Sequence, residues 1–122
     1  MTKPENVTKI EIFPYRGNEI RKKYYSCIKL KNNNKYQLYK FYEVNINGTN
    51  ILVKLVHIEH KSIFEINDFH TFSIYNLSYD EFRSLISKYY INLDYNIELF
   101  SILIFRDIHF QKKYEFFPGI LF

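Results

Sequence analysis

Alanine and tryptophan are missing altogether from this chain of 122 residues, glycine appears three times and cysteine once. Each gap excludes something. Three widely separated glycines cannot build a P-loop, a dinucleotide-binding fingerprint or a Gly-x-Ser-x-Gly elbow, so ATP- or NAD-dependent chemistry is not expected and no cofactor is assigned. A single cysteine, Cys27, leaves no intrachain disulfide and no Cys-based zinc site. It lies in the apolar run 24–30, where a buried, inert thiol is expected. No stretch approaches the roughly twenty apolar residues of a membrane span, and the opening residues MTKPENVTK lack the apolar core of a signal peptide. The expected location is the cytoplasm of the cell that makes the protein, with no membrane partner.

What is present is aromatic and basic. Hydrophobic residues make up 47% of the chain and aromatic ones 20%, too many for a disordered polymer. A chain of this length forms one domain, residues 1–122, with a core of useful size. Isoleucine, lysine, asparagine, tyrosine and phenylalanine together exceed half the residues, and these types share A/T-rich codons, a mark of the source genome's base composition. The formal charge of +4 is unevenly spread: residues 1–61 carry a net +7 and residues 62–122 a net −3. Such asymmetry favours an anionic partner on one face, or association between opposite faces.

Alternation and turn chemistry predict the elements. Residues 7–13 alternate as a short strand, and 24–31 form another with Lys29 and Lys31 on the face of Tyr25. Asn32-Asn33-Asn34 is turn-forming, so 36–46 is expected to run back as the partner of 24–31. Asn47-Gly48 suits a type I′ hairpin, because that turn needs positive φ at both central positions. Residues 51–59 would then pair with 36–46 as a central strand, being apolar on both faces. Residues 63–66 and 69–74 look like further short strands, and the isoleucine-rich run 97–105 like a buried one. Ser78 and Glu81 form a capping box, Leu77 can staple onto Phe82, and Tyr79, Phe82, Leu85, Ile86 and Tyr89 make an apolar stripe. The expected fold is therefore α+β: an antiparallel sheet of about five or six strands with one amphipathic helix, 78–90, packed on one face. The apolar ending, residues 116–122, is expected either to cap the core or to join a second copy as a homodimer.

Two constellations bear on function. Between Ile20 and Tyr42 there are seven cations and no acid. Arg21, Lys22, Lys23, Lys29, Lys31, Lys35 and Lys40 are interleaved with tyrosines, of which Tyr25, Tyr36 and Tyr42 share faces with lysines. Cations neutralise phosphates and flat rings stack on bases, so these ten residues are the candidate partner- or nucleic-acid-binding site. The four histidines form the weaker group. His57-x-Glu59, Asp68-x-His70 and Asp107-x-His109 would each put imidazole and carboxylate on one strand face. No residue is assigned as catalytic or metal-ligating. A ribonuclease would need two histidines, such as His57 and His70, to converge as base and acid.

The sequence thus points to a small binding protein rather than an enzyme. Its size, its base-composition bias and its lack of catalytic motifs suit a phage or mobile-element inhibitor of a host nucleic-acid-targeting complex, of the anti-CRISPR kind. The expected partner is a host protein or ribonucleoprotein, with RNA or DNA itself as the next candidate. A metal-independent ribonuclease, a direct nucleic-acid-binding protein and a self-assembling structural protein are the alternatives.

Overall fold

The computed structural model describes residues 7–10, 23–46 and 48–110. They form an α+β fold with five strands and two helices: β1 (Thr8–Ile10), β2 (Tyr24–Leu30), β3 (Phe41–Ile46), β4 (Thr49–Ser62), a 3₁₀ turn (Ile63–Glu65), α1 (Asp68–Tyr75), α2 (Tyr79–Tyr89) and β5 (Leu99–Asp107). The strand order is β1-β3-β4-β5-β2. The sheet is mixed, which corrects the purely antiparallel expectation: β1 runs parallel to β3, while β3–β4, β4–β5 and β5–β2 are antiparallel.

β3 and β4 pair antiparallel across the Asn-Gly position, of which Asn47 lies outside the described residues. Ile46 faces Thr49 and Asn45 faces Asn50, and Gly48 holds φ +84°, a conformation a side chain would strain. β4 is central and long, and a bulge between Leu55 and His57 shifts its register against β5. The hairpin expected between 24–31 and 36–46 does not form. β2 pairs with β5 instead, with Tyr24 opposite Arg106 and Leu30 opposite Phe100. Residues 31–40 are a loop, its Asn32 side chain accepting hydrogen bonds from the Asn34 and Lys35 N–H groups at 3.1 Å. Asparagine chemistry identifies the turn but carries no information about which strand lies alongside.

Two further expectations are overturned. Residues 63–66 make a 3₁₀ turn, and 69–74 belong to α1. Local capping explains the second. Asn67 Oδ1 accepts from the His70 N–H at 3.3 Å while His70 Nδ1 accepts from the Asn67 N–H at 3.1 Å, and Asn76 closes the helix in the left-handed region at φ 57°. The capping box of α2 forms as its sequence predicts: Ser78 Oγ accepts from the Glu81 N–H and Glu81 Oε1 from the Ser78 N–H. Phe82 and Ile86 from the apolar stripe of α2 are buried in the same core as the strands.

β2 ends the sheet order, and two tyrosines meet two of its outward N–H groups, those of Ile28 and Leu30. The Ile28 N–H donates to the Tyr75 hydroxyl at 2.6 Å, and the Leu30 N–H to the Tyr90 hydroxyl at 3.4 Å. An edge whose donors are satisfied offers less to an added strand. Cys27 is buried as expected, and burial pushes its thiol up to about 12. The apolar ending, 116–122, lies outside the described residues.

Candidate functional site

In a strand, successive side chains alternate between faces, so β2 divides its residues into two sets. Tyr25, Cys27 and Lys29 point into the core; the Tyr25 ring is 1% exposed, and Lys29 is also buried. Tyr42 lies on that same inner face, opposite Val53, and is fully buried. Its hydroxyl accepts from the Gln37 N–H at 2.8 Å and donates to the Lys35 carbonyl at 2.7 Å, tying the 31–40 loop to the sheet. Tyr36 is buried too, and burial raises its phenol to about 12. The face shared by Tyr25 and Lys29 exists, but it is the inside of the protein.

The remaining candidates are dispersed. Lys35 and Lys40 are exposed in the loop, Lys31 is half-buried beyond the end of β2, and Lys23 is half-buried just before its start. Arg21 and Lys22 lie outside the described residues. Among the described residues of the block, Tyr25, Lys29, Tyr36 and Tyr42 are buried, and the other cations are spread over the 31–40 loop and the two ends of β2.

A different group does assemble, on the outer face. Register aligns Tyr24 with Arg106, Arg106 with Lys54, and Lys54 with Phe41. The four side chains form a row across β2, β5, β4 and β3 in which aromatic and cationic residues are mixed and no acid intervenes. At about 4.8 Å per strand the row is roughly 14 Å long. Tyr24 is 48% exposed, and the Lys23 ammonium stands 5.7 Å from its ring centroid. At the other end the Lys54 ammonium lies 5.6 Å from the Phe41 ring centroid and 5.8 Å from that of Tyr39. Tyr39 is held in the left-handed region at φ 67°, its N–H donating to the Leu55 carbonyl at 2.6 Å, and its ring is left 63% exposed. A non-glycine residue at positive φ stores local strain. Tyr39, Phe41, Lys54 and Arg106, together with Val56 and Ile108, line a shallow cavity of about 360 Å³, and Tyr24 stands beyond it.

Sequence reasoning missed Lys54, Arg106, Tyr24, Tyr39 and Phe41 as a group because they come from four separate segments. One signal could have found part of it: the Asn-Gly turn fixes Phe41 opposite Lys54. Nothing local reports that Arg106 comes next.

One step further along the same face, His57 pairs with Ile104 and Ile104 with Ser26. Here a second cleft of about 300 Å³ lies between the sheet and α1, with both His57 and His70 on its wall. Of the three acid-x-histidine pairs, only His57 and Glu59 meet through their side chains, Nε2 to Oε2 at 3.6 Å. Glu59 Oε1 also receives Lys61 at 3.1 Å, and this hydrogen bond, ahead of the one from His57, holds the Glu59 carboxyl below its ordinary value. Asp68 instead accepts from the Tyr79 N–H at 2.6 Å, and Asp107 from the backbone N–H of His109 at 2.9 Å. His70 Nδ1 is occupied by the cap of α1, accepting from the Asn67 N–H. His60 lies on the inner face, its Nδ1 2.8 Å from Ser101 Oγ. Among the described residues no three His, Cys, Asp or Glu side chains are placed to hold a metal ion, and no helix is long and apolar enough to cross a membrane.

Comparison with protein-family models, with curated proteins and with solved structures gave no match in any of the three.

Proposed function

We propose that this protein is a binding module for single-stranded nucleic acid, and that the row Tyr24–Arg106–Lys54–Phe41 is its platform. The observation that carries the proposal is the shared register of two rings and two cations on one sheet face, Tyr24 and Arg106 exposed and Phe41 and Lys54 half-buried. Rings on a flat sheet accept bases by stacking, each contributing roughly 1–3 kcal/mol, and interleaved cations track the phosphates. A duplex offers these rings less, since its bases are already stacked on one another and their faces are not free. Exposed Tyr24 and Tyr39 and half-buried Phe41 set the stacking positions; Lys23, Lys54 and Arg106 supply the charge.

Within this proposal α2 packs on the sheet through Phe82 and Ile86 and leaves the row uncovered. No catalytic residue, metal or cofactor is invoked. Blockade of a host nucleic-acid-targeting complex, in the cytoplasm of the host cell, remains the biological role we favour, with capture of that complex's single strand as its route. Lys31, Lys35 and Lys40 on the neighbouring loop would extend the cationic track.

Titration of a fluorescent single-stranded RNA across a salt series tests the proposal. Three phosphate contacts predict that log K falls with log salt at a slope of about −2. Absence of binding at low salt, or binding that ignores salt, would sink it.

A further inference from the structure

The second cleft adjoins the row on the same face. Ser26 is two residues beyond Tyr24 on β2, and Ile104 two residues before Arg106 on β5, so the cleft opens about 7 Å from the cationic side chains. Its floor is apolar, formed by Ile102 and Ile104, and Ile74 of α1 extends it. At its lip Phe69 is 76% exposed, a large ring spending most of its surface on water, and the His70 ring meets it edge-on at 6.0 Å. Hydrogen-bonding groups ring the floor: the hydroxyls of Ser26 and Ser73, the imidazole of His57, the Glu59 carboxylate that His57 and Lys61 face, and His70 Nε2, the ring's donor once Nδ1 has accepted the Asn67 N–H.

An apolar slot of about 300 Å³ with an aromatic lip and a rim of donors and acceptors is the recognition chemistry of a flat heteroaromatic ring. We infer that this cleft takes one base turned out of the strand carried on the row. Phe69 stacks on its face, the isoleucines lie beneath it, and Ser26, Ser73, His57 and His70 meet its polar edge. The strand's phosphates stay on Lys54 and Arg106. The inference rests on the proposed strand-binding function and adds base selectivity to a platform that by itself reads only charge and stacking.

Photo-crosslinking with a short RNA of 5-iodouridine, followed by peptide mass spectrometry on the whole protein, tests it. Crosslinks are expected at Phe69 or His70 as well as at Tyr24, Tyr39 or Phe41. Ser73 is exposed on α1, so Ser73→Trp fills the cleft from the surface; a thermal melt checks that the variant folds. It should erase the Phe69/His70 crosslink, keep those on the row, and weaken RNA binding about tenfold, the worth of one stacked base. Crosslinks confined to the row, or a Phe69/His70 crosslink that survives Ser73→Trp, overturn the base pocket while strand binding stands. Shortened RNA after incubation also overturns it, making the cleft a catalytic site. A protein that neither binds nor crosslinks the RNA overturns both.

Discussion

Tyr24 and Tyr25 are neighbours in the chain, yet one ring stands half in solvent and the other is sealed in the core. The same division separates Phe41 from Tyr42 on β3 and Arg106 from Asp107 on β5. On the inner face Tyr42 packs edge-to-face on Phe105, centroids 5.6 Å apart, and its hydroxyl is satisfied by the loop it anchors. On the outer face rings of the same kind touch ammonium groups and water. Aromatic rings occur on both sides, with aliphatic neighbours such as Val53, Leu55 and Leu103 on the inner one and Lys54 and Arg106 on the outer. What differs for the rings is whether their area is already buried: on the inner face it contributes to stability, and on the outer face it remains open to the proposed strand.

Breaking the inner face should have the largest effect. Tyr42→Ala removes a fully buried ring and orphans the Gln37 N–H, with an expected loss of about 3–5 kcal/mol by denaturant unfolding. Tyr24→Ala should stay within about 1 kcal/mol of the parent. Equal losses at the two positions would erase the contrast between the faces.

Reversing charge on the outer face comes next. Lys54→Glu with Arg106→Glu should weaken single-stranded RNA binding at least a hundredfold by turning two phosphate contacts into repulsion, with Tm shifted by only a few degrees. Lys35→Glu with Lys40→Glu, in the loop, should cost about tenfold or less. If the loop pair proves the more damaging, the platform lies on the 31–40 segment and not on the sheet. A single Tyr24→Ala should cost about tenfold in affinity, the worth of one stacked base.

The smallest effect is one of pH. Burial raises the Cys27 thiol from 9.0 to about 12 and the Tyr36 phenol from 10.0 to about 12. Both groups ionise more readily in the unfolded chain, which therefore binds fewer protons than the folded one above pH 9. Their contribution to stability is full below pH 9 and is lost as pH rises toward 12. A thermal melt series should show Tm declining across that window. Cys27→Ala should flatten its first part, and the native thiol should resist thiol reagents at pH 8 until denaturant is added.

Much of the frame was legible because it is local. The Asn47-Gly48 turn, the capping box at Ser78 and Glu81, and the continuous apolar run of β5 each declare themselves within a few residues. α1 was not legible as a helix: its Phe-His-Thr-Phe-Ser-Ile run is rich in β-formers and has no clean apolar stripe, so the asparagine caps at both ends outweighed propensity. The candidate site was legible only as a composition. Period-two reasoning grouped Tyr25 with Lys29 correctly, but a strand apolar on both sides does not say which side turns inward.

By itself the sequence determined an α+β chain with a tight β3–β4 hairpin, a capped helix after Ser78, a buried unpaired thiol and a surplus of cations among aromatic rings. Only the tertiary structure decided that β2 lies against β5, that β1 joins in parallel, and that Lys54 and Arg106 stand between Tyr24 and Phe41. Turns and caps are settled by backbone conformation over three or four residues. Strand partners and the choice of inner face depend on the apolar area the whole sheet can bury at once, a quantity no single segment carries.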